Sequence, residues 1–307
     1  MAELKIYTHI ACALHDMGAG HPEQPARVVE VMRALRAAGL ARDDNTESAP
    51  QASIESLLRV HPRDYVDFVH FTSPERRRAQ LDPDTAMNPH SLSAALHAAG
   101  AGIAAIDWVM AGADRRAFCA VRPPGHHALP ASAMGFCIFA NVTIAAQHAI
   151  AAYGVERVAI VDFDVHHGNG TEACVGGDRR IRLYSTFQHP YYPHSGVPSS
   201  AENVVNIPLA WGSGGEEVRS AFSGRLLPDL ADFAPQLLLI SAGFDAHRDD
   251  PLAGLNFEDE DYTWMTEKLV AQARASANGR VVSMLEGGYN LEALARSAVA
   301  HVSALNR

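Results

Sequence analysis

The stretch VAIVDFDVHHGNG, residues 158–170, changes character half-way along. From Val158 to Phe163 it is apolar at successive positions apart from Asp162, the habit of a strand covered on both faces in a parallel sheet. The second half sets Asp164, His166 and His167 against that strand and then breaks at Gly168-Asn169-Gly170. Charge beside a buried strand is costly unless it finds a partner. The junction is therefore read as a strand end that carries a chemical site.

Working outward, two more segments share the fully apolar pattern, LLLISA at 237–242 and VVSML at 281–285. Shorter candidates are Leu4–Tyr7, Ala117–Val121, Ile181–Ser185 and Val204–Ile207. Between them, helical spacing marks Ala26–Ala38, Ser91–Met110, Asn141–Tyr153, Asp259–Asn278 and Leu291–Leu305. Alternating strands and helices predict an α/β fold of three layers, helices on both faces of a mostly parallel sheet. No repeat or low-complexity tract interrupts the pattern, and residues 1–307 are taken as one domain.

In open parallel sheets ligands bind beyond the carboxyl ends of the strands. Four segments rich in reactive side chains follow four candidate strands: RPPGHH (122–127), DVHHGNG (164–170), GFDAH (243–247) and EGGYN (286–290). A parallel sheet brings all four to one edge.

Residues two apart in an extended segment share a face, so Asp164 and His166 reach one cation together, with Asp162 behind them. Asp245, at the end of the Leu237–Ala242 strand, is the best-placed third ligand. Two carboxylates, one imidazole and an open position make a catalytic rather than a structural zinc site; the oxygen-rich set also suits ferrous iron or cobalt. His167 points to the opposite face and is read as structural or as a support behind the ligands, and His247 is favoured as structural over an alternative ligand.

Adjacent histidines in a rigid Pro-Pro-Gly turn are poor core filler. Either His126 or His127 can exchange a proton near neutral pH, as amide hydrolysis requires. Tyr289, after two glycines, is placed to donate its hydroxyl to a carbonyl oxygen as negative charge develops.

Bulk properties narrow the partners. A net charge of -10 argues against a nucleic-acid binder, which needs a basic face, and favours cationic partners such as lysine side chains or polyamines. Neither a secretory leader nor an uninterrupted apolar membrane span is visible, and Ala94–Ala113 reads as a buried helix. Cys12, Cys119, Cys137 and Cys174 are scattered without a CxxC pair, which fits a reducing cytoplasm.

Taken together, the strings HPEQPARV (21–28), RPPGHHA (122–128), GFCIFANV (135–142), VDFDVHHGNGTE (161–172), SAGFDAHRDDPLAG (241–254) and EGGYN closely resemble the histone deacetylase family, with its bacterial acetoin-utilisation and acetylpolyamine-amidohydrolase relatives. The resemblance implies an arginase/deacetylase-like α/β/α domain with about eight strands. It implies zinc on Asp164, His166 and Asp245, His127 as the proton-transferring base and acid, and His126 as its electrostatic partner backed by Asp162. Tyr289 matches the carbonyl-polarising tyrosine. A structural potassium ion is implied at Asp162, Asp164, His166, Ser185 and Thr186, mainly through backbone carbonyls. Asn169 falls where class II members carry Asn and class I members Asp. Gly135 and Phe136 match one wall of the acyl-lysine tunnel, and Arg27 an internal arginine near the product exit.

Two positions depart from the pattern. Tyr192 stands where the second tunnel wall is usually Phe, which offers the substrate a hydroxyl. Leu252 stands where class IIb polyamine deacetylases carry a gatekeeping Glu, which weakens an acetylpolyamine substrate. The rim segment Leu81–His90 is left without assigned residues. The expectation is a cytoplasmic hydrolase of N-acyl-lysine or a small N-acyl amine, working as a dimer or tetramer without membrane or nucleic acid. An arginase-like ureohydrolase is disfavoured, because its paired manganese ions need more carboxylates than DFDVHHGNG supplies. A non-catalytic binding protein is disfavoured because none of the reactive residues is missing.

Overall fold

The structure is a computed structural model and describes residues 3–307. Ten strands are present: β1 (Glu3–Thr8), β2 (Thr46–Ser48), β3 (Ala79–Asp82), β4 (Thr85–Met87), β5 (Arg115–Cys119), β6 (Val158–Asp162), β7 (Ile181–Gln188), β8 (Val204–Leu209), β9 (Leu237–Ala242) and β10 (Val281–Leu285). Eight of them form one parallel sheet in the order β2-β1-β5-β10-β9-β6-β7-β8. The remaining pair, β3 and β4, is a small antiparallel hairpin.

The apolar runs that announced the sheet are its centre. Every residue of β6, β9 and β10 is buried. Each buried Leu, Ile or Val there contributes roughly 1.5–3 kcal/mol; truncating Leu239 to Ala would cost about 2–5 kcal/mol. The edges are weaker: β2 has three residues, and β8 carries Pro208, which an edge strand tolerates because no neighbour needs its missing N–H.

Helices Ser91–Met110, Asn141–Tyr153 and Leu291–Leu305 have the predicted limits, while Ala26–Ala37 and Asp259–Ser276 end one and two residues early. Ser91–Met110 is long and apolar enough to cross a membrane by composition alone, and most of it is buried against the sheet and the Asn141–Tyr153 helix. Helix Arg63–Thr72 was not predicted, although Tyr65, Val66 and Val69 recur at helical spacing and form its buried face; Phe68 and Phe71 stay exposed.

Candidate active site

The strands β5, β10, β9 and β6 are consecutive neighbours in the sheet. Their carboxyl ends therefore deliver RPPGHH, EGGYN, GFDAH and DVHHGNG side by side, as the parallel-sheet argument required. One detail differs. β6 stops at Asp162, so Asp164 and His166 stand in a turn rather than on an extended strand. They still share a face because Asp162 Oδ1 accepts the Asp164 N–H (3.0 Å) and Asp164 Oδ1 accepts the His166 N–H (2.9 Å). Two successive Asp side-chain turns replace the pleat as the cause of the alignment.

Ligand-type atoms of Asp164, His166 and Asp245 lie within 4.8 Å of one another, all buried. His166 Nδ1 is 3.0 Å from Asp164 Oδ1 and 3.1 Å from Asp245 Oδ2. Backbone amides orient the carboxylates: Gly287 N–H donates to Asp164 Oδ2 (2.8 Å) and Val165 N–H to Asp245 Oδ1 (2.9 Å). Only glycine fits at 287, since a Cβ there would stand 2.1 Å from Asp245 Oδ2 and 2.5 Å from Asp164 Oδ2.

These residues fit a divalent cation. Asp245 Oδ2 is buried without a hydrogen-bond partner, an expensive state that a metal would relieve. Burial opposes charge on His166, but its contacts with Asp164 and Asp245 raise its pKa to about 10; burial and the neighbouring Asp164 push Asp245 up to about 6. The cluster thus draws positive charge to itself. Two carboxylates and one imidazole, with nothing from a fourth residue, match the donor set of an open catalytic site.

The tandem histidines are held differently and titrate in opposite directions. His126 Nδ1 is 3.0 Å from Asp162 Oδ2; burial works against its charge, yet Asp164 and Asp162 carry its pKa well above the ordinary value. For His127, burial is joined by repulsion from His126 and His166, and the pKa falls well below the ordinary value. Its Nδ1 is 2.7 Å from Asn169 Oδ1, while Asn169 Nδ2 faces Met134 Sδ (3.2 Å). That pairing puts the proton on Nδ1 and leaves Nε2 with a free lone pair. Glu286 Oε2 anchors the turn by accepting the N–H groups of Gly125 (2.7 Å) and His126 (3.1 Å).

A cavity of about 180 Å³ opens onto this cluster, lined by Asp84, His127, Gly135, Phe136, His166, Tyr191, Tyr192, Leu252 and Tyr289. All four residues expected along the substrate path, Gly135, Phe136, Tyr192 and Leu252, line it. The backbone N–H of Tyr289 is held by Asp250 Oδ2 (2.6 Å), and its ring lies 4.9 Å from the Arg27 guanidinium. Burial, then the Asp245 charge, keeps its phenol well above pKa 10 and so protonated, a donor. Phe136 adopts φ +69°, a strained conformation for a bulky residue; the Thr85 hydroxyl steadies it by accepting its N–H (3.0 Å).

Two further residues that motif reading missed or left unassigned, Asp84 and Tyr191, line the cavity, and Asp250 supports it from behind. Asp84 accepts the Gly135 N–H at Oδ1 (3.1 Å) and the Tyr192 hydroxyl at Oδ2 (3.3 Å). The Tyr192 hydroxyl is therefore engaged with Asp84. Tyr191 packs against His166 at 5.6 Å and donates to the Leu252 carbonyl. Asp250 organises the Tyr289 turn. Asp84 lies in the segment Leu81–His90, where DPDT reads only as a turn, and its inward aim depends on pairing across 51 residues to Gly135.

The other expected residues are placed as follows. His167 turns away and bridges Glu172 Oε2 (2.7 Å) and Ser195 Oγ (2.9 Å). His247 is buried outside the ligand cluster, its Nδ1 accepting the Asp249 N–H (3.1 Å). Ser185 and Thr186 lie at the carboxyl end of β7, beside β6, with both hydroxyl oxygens buried and unpaired.

The histone deacetylase domain model matches residues 21–305. The chain belongs to the histone deacetylase family. A histone deacetylase-like amidohydrolase of Pseudomonas aeruginosa is 39% identical over 279 residues, covering 89% of this chain and 73% of the relative. The mouse polyamine deacetylase HDAC10 is 36% identical, over 92% of this chain and 44% of the relative. Among solved structures, the crystal structure of the HDA15 HD domain superposes with a TM-score of 0.92 at 33% identity, over 99% of this chain and 90% of that one. This histone deacetylase family member is thus a hydrolase of the deacetylase and amidohydrolase type, and its parallel eight-stranded sheet is the family fold.

Proposed function

We propose that the chain is a zinc-dependent deacylase that hydrolyses the amide of N-acyl-lysine or of a small N-acylated amine. The observation that carries this reading is the shared address of five side chains. Asp164, His166 and Asp245 form a cation site, and His127 and Tyr289 line the cavity that opens onto it.

When bound there, a divalent ion supplies Lewis acidity, lowering the pKa of water and polarising a carbonyl. The chain's own residues do the rest. Neutral His127 takes a proton from the attacking water at Nε2 and returns it to the leaving amine, a task its depressed pKa suits. His126, held cationic by Asp162, adds positive charge beside the developing oxyanion. The Tyr289 phenol donates to the substrate carbonyl oxygen, and Phe136 and Tyr192 confine the acylated chain to a slender path that excludes water.

A second reading, an acetylpolyamine or other small-amide substrate, is favoured by one observation. Among the described residues, Asp84 is the single carboxylate in the cavity wall outside the ligand cluster, and it suits an ammonium group along the substrate. Leu252, in place of the gatekeeping Glu, argues the other way.

The buried, unpaired hydroxyls of Ser185, which pairs with Asp162 across β6 and β7, and of Thr186 support a structural potassium ion shared with Asp162, Asp164 and His166, largely through backbone carbonyls. Four unpaired cysteines support a reducing cytoplasm, a net charge of -10 opposes nucleic-acid binding, and the family resemblance suggests a dimer or tetramer. The test is a panel assay. Zinc-loaded protein is offered acetyl-, trifluoroacetyl- and longer acyl-lysine amides, acetylpolyamines and simple amides; failure to cleave any of them rejects the reading.

A further inference from the structure

We infer that Glu23 is a positioning residue that ties the two catalytic loops to one another. The helix Ala26–Ala37 is preceded by HPEQP, which puts Glu23 one helical turn before Arg27. Glu23, Arg27 and Arg122 are all fully buried, although they lie up to 99 residues apart in sequence.

One carboxylate serves both guanidiniums. Arg122 grips both oxygens of Glu23 through Nε and Nη2, and Arg27 Nη1 donates to Oε1 (3.0 Å). Each arginine then reaches a different segment. Arg122 opens the 122–127 turn that carries His126 and His127, and its Nη1 donates to the carbonyls of Cys12 (2.6 Å) and His15 (3.1 Å). Arg27 donates from Nε to the Gly288 carbonyl (2.6 Å) and from Nη2 to the Glu286 carbonyl, and its guanidinium lies under the Tyr289 ring. The proton-transfer turn and the carbonyl-polarising turn therefore share the buried Glu23 carboxylate, in addition to the direct contact of Glu286 with the Gly125 and His126 N–H groups.

The charge balance explains why the tie is firm. A cation in the first turn of a helix is opposed by the helix dipole, and two buried guanidiniums repel one another. Glu23 lies between them and offsets both effects, so its pKa is driven well below the carboxylate range by Arg122, His15 and Arg27 despite complete burial. Among the described residues, no other side chain bonds both arginines.

Glu23→Gln leaves two buried cations without a carboxylate, and loss of one member of such a pair is strongly destabilising, so that variant alone could act by unfolding. The charge-conserving variant Glu23→Gln/Arg122→Met is therefore made beside it, with Arg122→Met as control. The first readout is amide hydrogen exchange. In Glu23→Gln, exchange should speed up in both 122–128 and 286–290. In Arg122→Met it should speed up chiefly in 122–128, with only the smaller change at 286–290 that the Glu286 contact transmits. The double variant should loosen 286–290 beyond the Arg122→Met control, because Arg27, which holds the Gly288 and Glu286 carbonyls, has then lost Glu23. The second readout rests on the proposed deacylase reading: kcat falls about ten- to a hundredfold, the effect of an ångström-scale misplacement, while KM stays within about threefold. Unchanged exchange at 286–290 in both Glu23 variants overturns the inference, as does a loss confined to KM. If the wild type cleaves no acyl substrate, the functional reading fails and the exchange result alone decides the role of Glu23.

Discussion

Replacing Tyr289 by Phe removes one oxygen atom and little else. The ring keeps its place over Arg27 at 4.9 Å and edge-on to Phe136 at 6.0 Å, and its backbone N–H stays on Asp250. Its hydroxyl makes no hydrogen bond among the described residues and lines the cavity, so folding loses no interaction. What is lost is a neutral donor that burial keeps protonated throughout the working pH range. Removing one preorganised oxyanion donor costs about 10²–10³ in kcat, or roughly 2.7–4 kcal/mol. The expected outcome is a kcat reduced by that factor on an acetyl-lysine amide, with zinc content and thermal midpoint equal to those of the wild type. A kcat within about threefold of wild type would remove Tyr289 from the chemistry. Loss of zinc or of the thermal midpoint would show that the residue acts on the fold instead.

Other outcomes follow from the same geometry. His127→Gln should lower kcat by about 10²–10⁴, the worth of a positioned acid–base group, with zinc content retained; steady-state kinetics and metal analysis check it. Asp250→Ala strips acceptors from the N–H groups of Tyr289, Asn290 and Leu252. At roughly 1–3 kcal/mol for each buried group left unpaired, both the thermal midpoint and kcat should drop, and a variant with wild-type values of both would refute the role of Asp250. Tyr192→Phe frees Asp84 Oδ2, so kcat/KM for acylated diamines should rise relative to neutral acyl amides by up to about tenfold; an unchanged ratio would separate Asp84 from substrate binding. His61 is buried with Nδ1 against the Pro130 carbonyl (2.9 Å) and Nε2 accepting the Ala140 N–H (3.0 Å), and burial lowers its pKa to about 4. Between about pH 6.5 and 4 the unfolded chain binds the extra proton, so stability is full above that window and falls through it. Denaturant midpoints across the window should show the decline, and His61→Gln should flatten it.

The central strands and long helices were legible because burial on both faces leaves a continuous apolar run, and few other structures do. The cation site was legible because DxDxH and Asp245 follow two such runs, and neighbouring parallel strands end together. Even there the cause was misread, since paired Asp side-chain turns, not a pleat, align Asp164 with His166. The rest depends on contacts remote in sequence. Asp84 is a turn residue until Gly135 and Tyr192 come to it, and Glu23 is an ordinary helix-start acid until Arg122 arrives from 99 residues away. Local pattern carries no trace of such partners. The three-residue β2 and the hairpin of β3 and β4 escaped for a related reason: each is too short to show a period.

Titration of metal-free protein with zinc tests the central claim most directly. Hydrolysis of an acyl-lysine amide should rise in proportion to bound zinc and level off at one equivalent, and Asp245→Ala should abolish both tight binding and turnover. Full activity without metal, or zinc binding untouched by loss of Asp245, would contradict it.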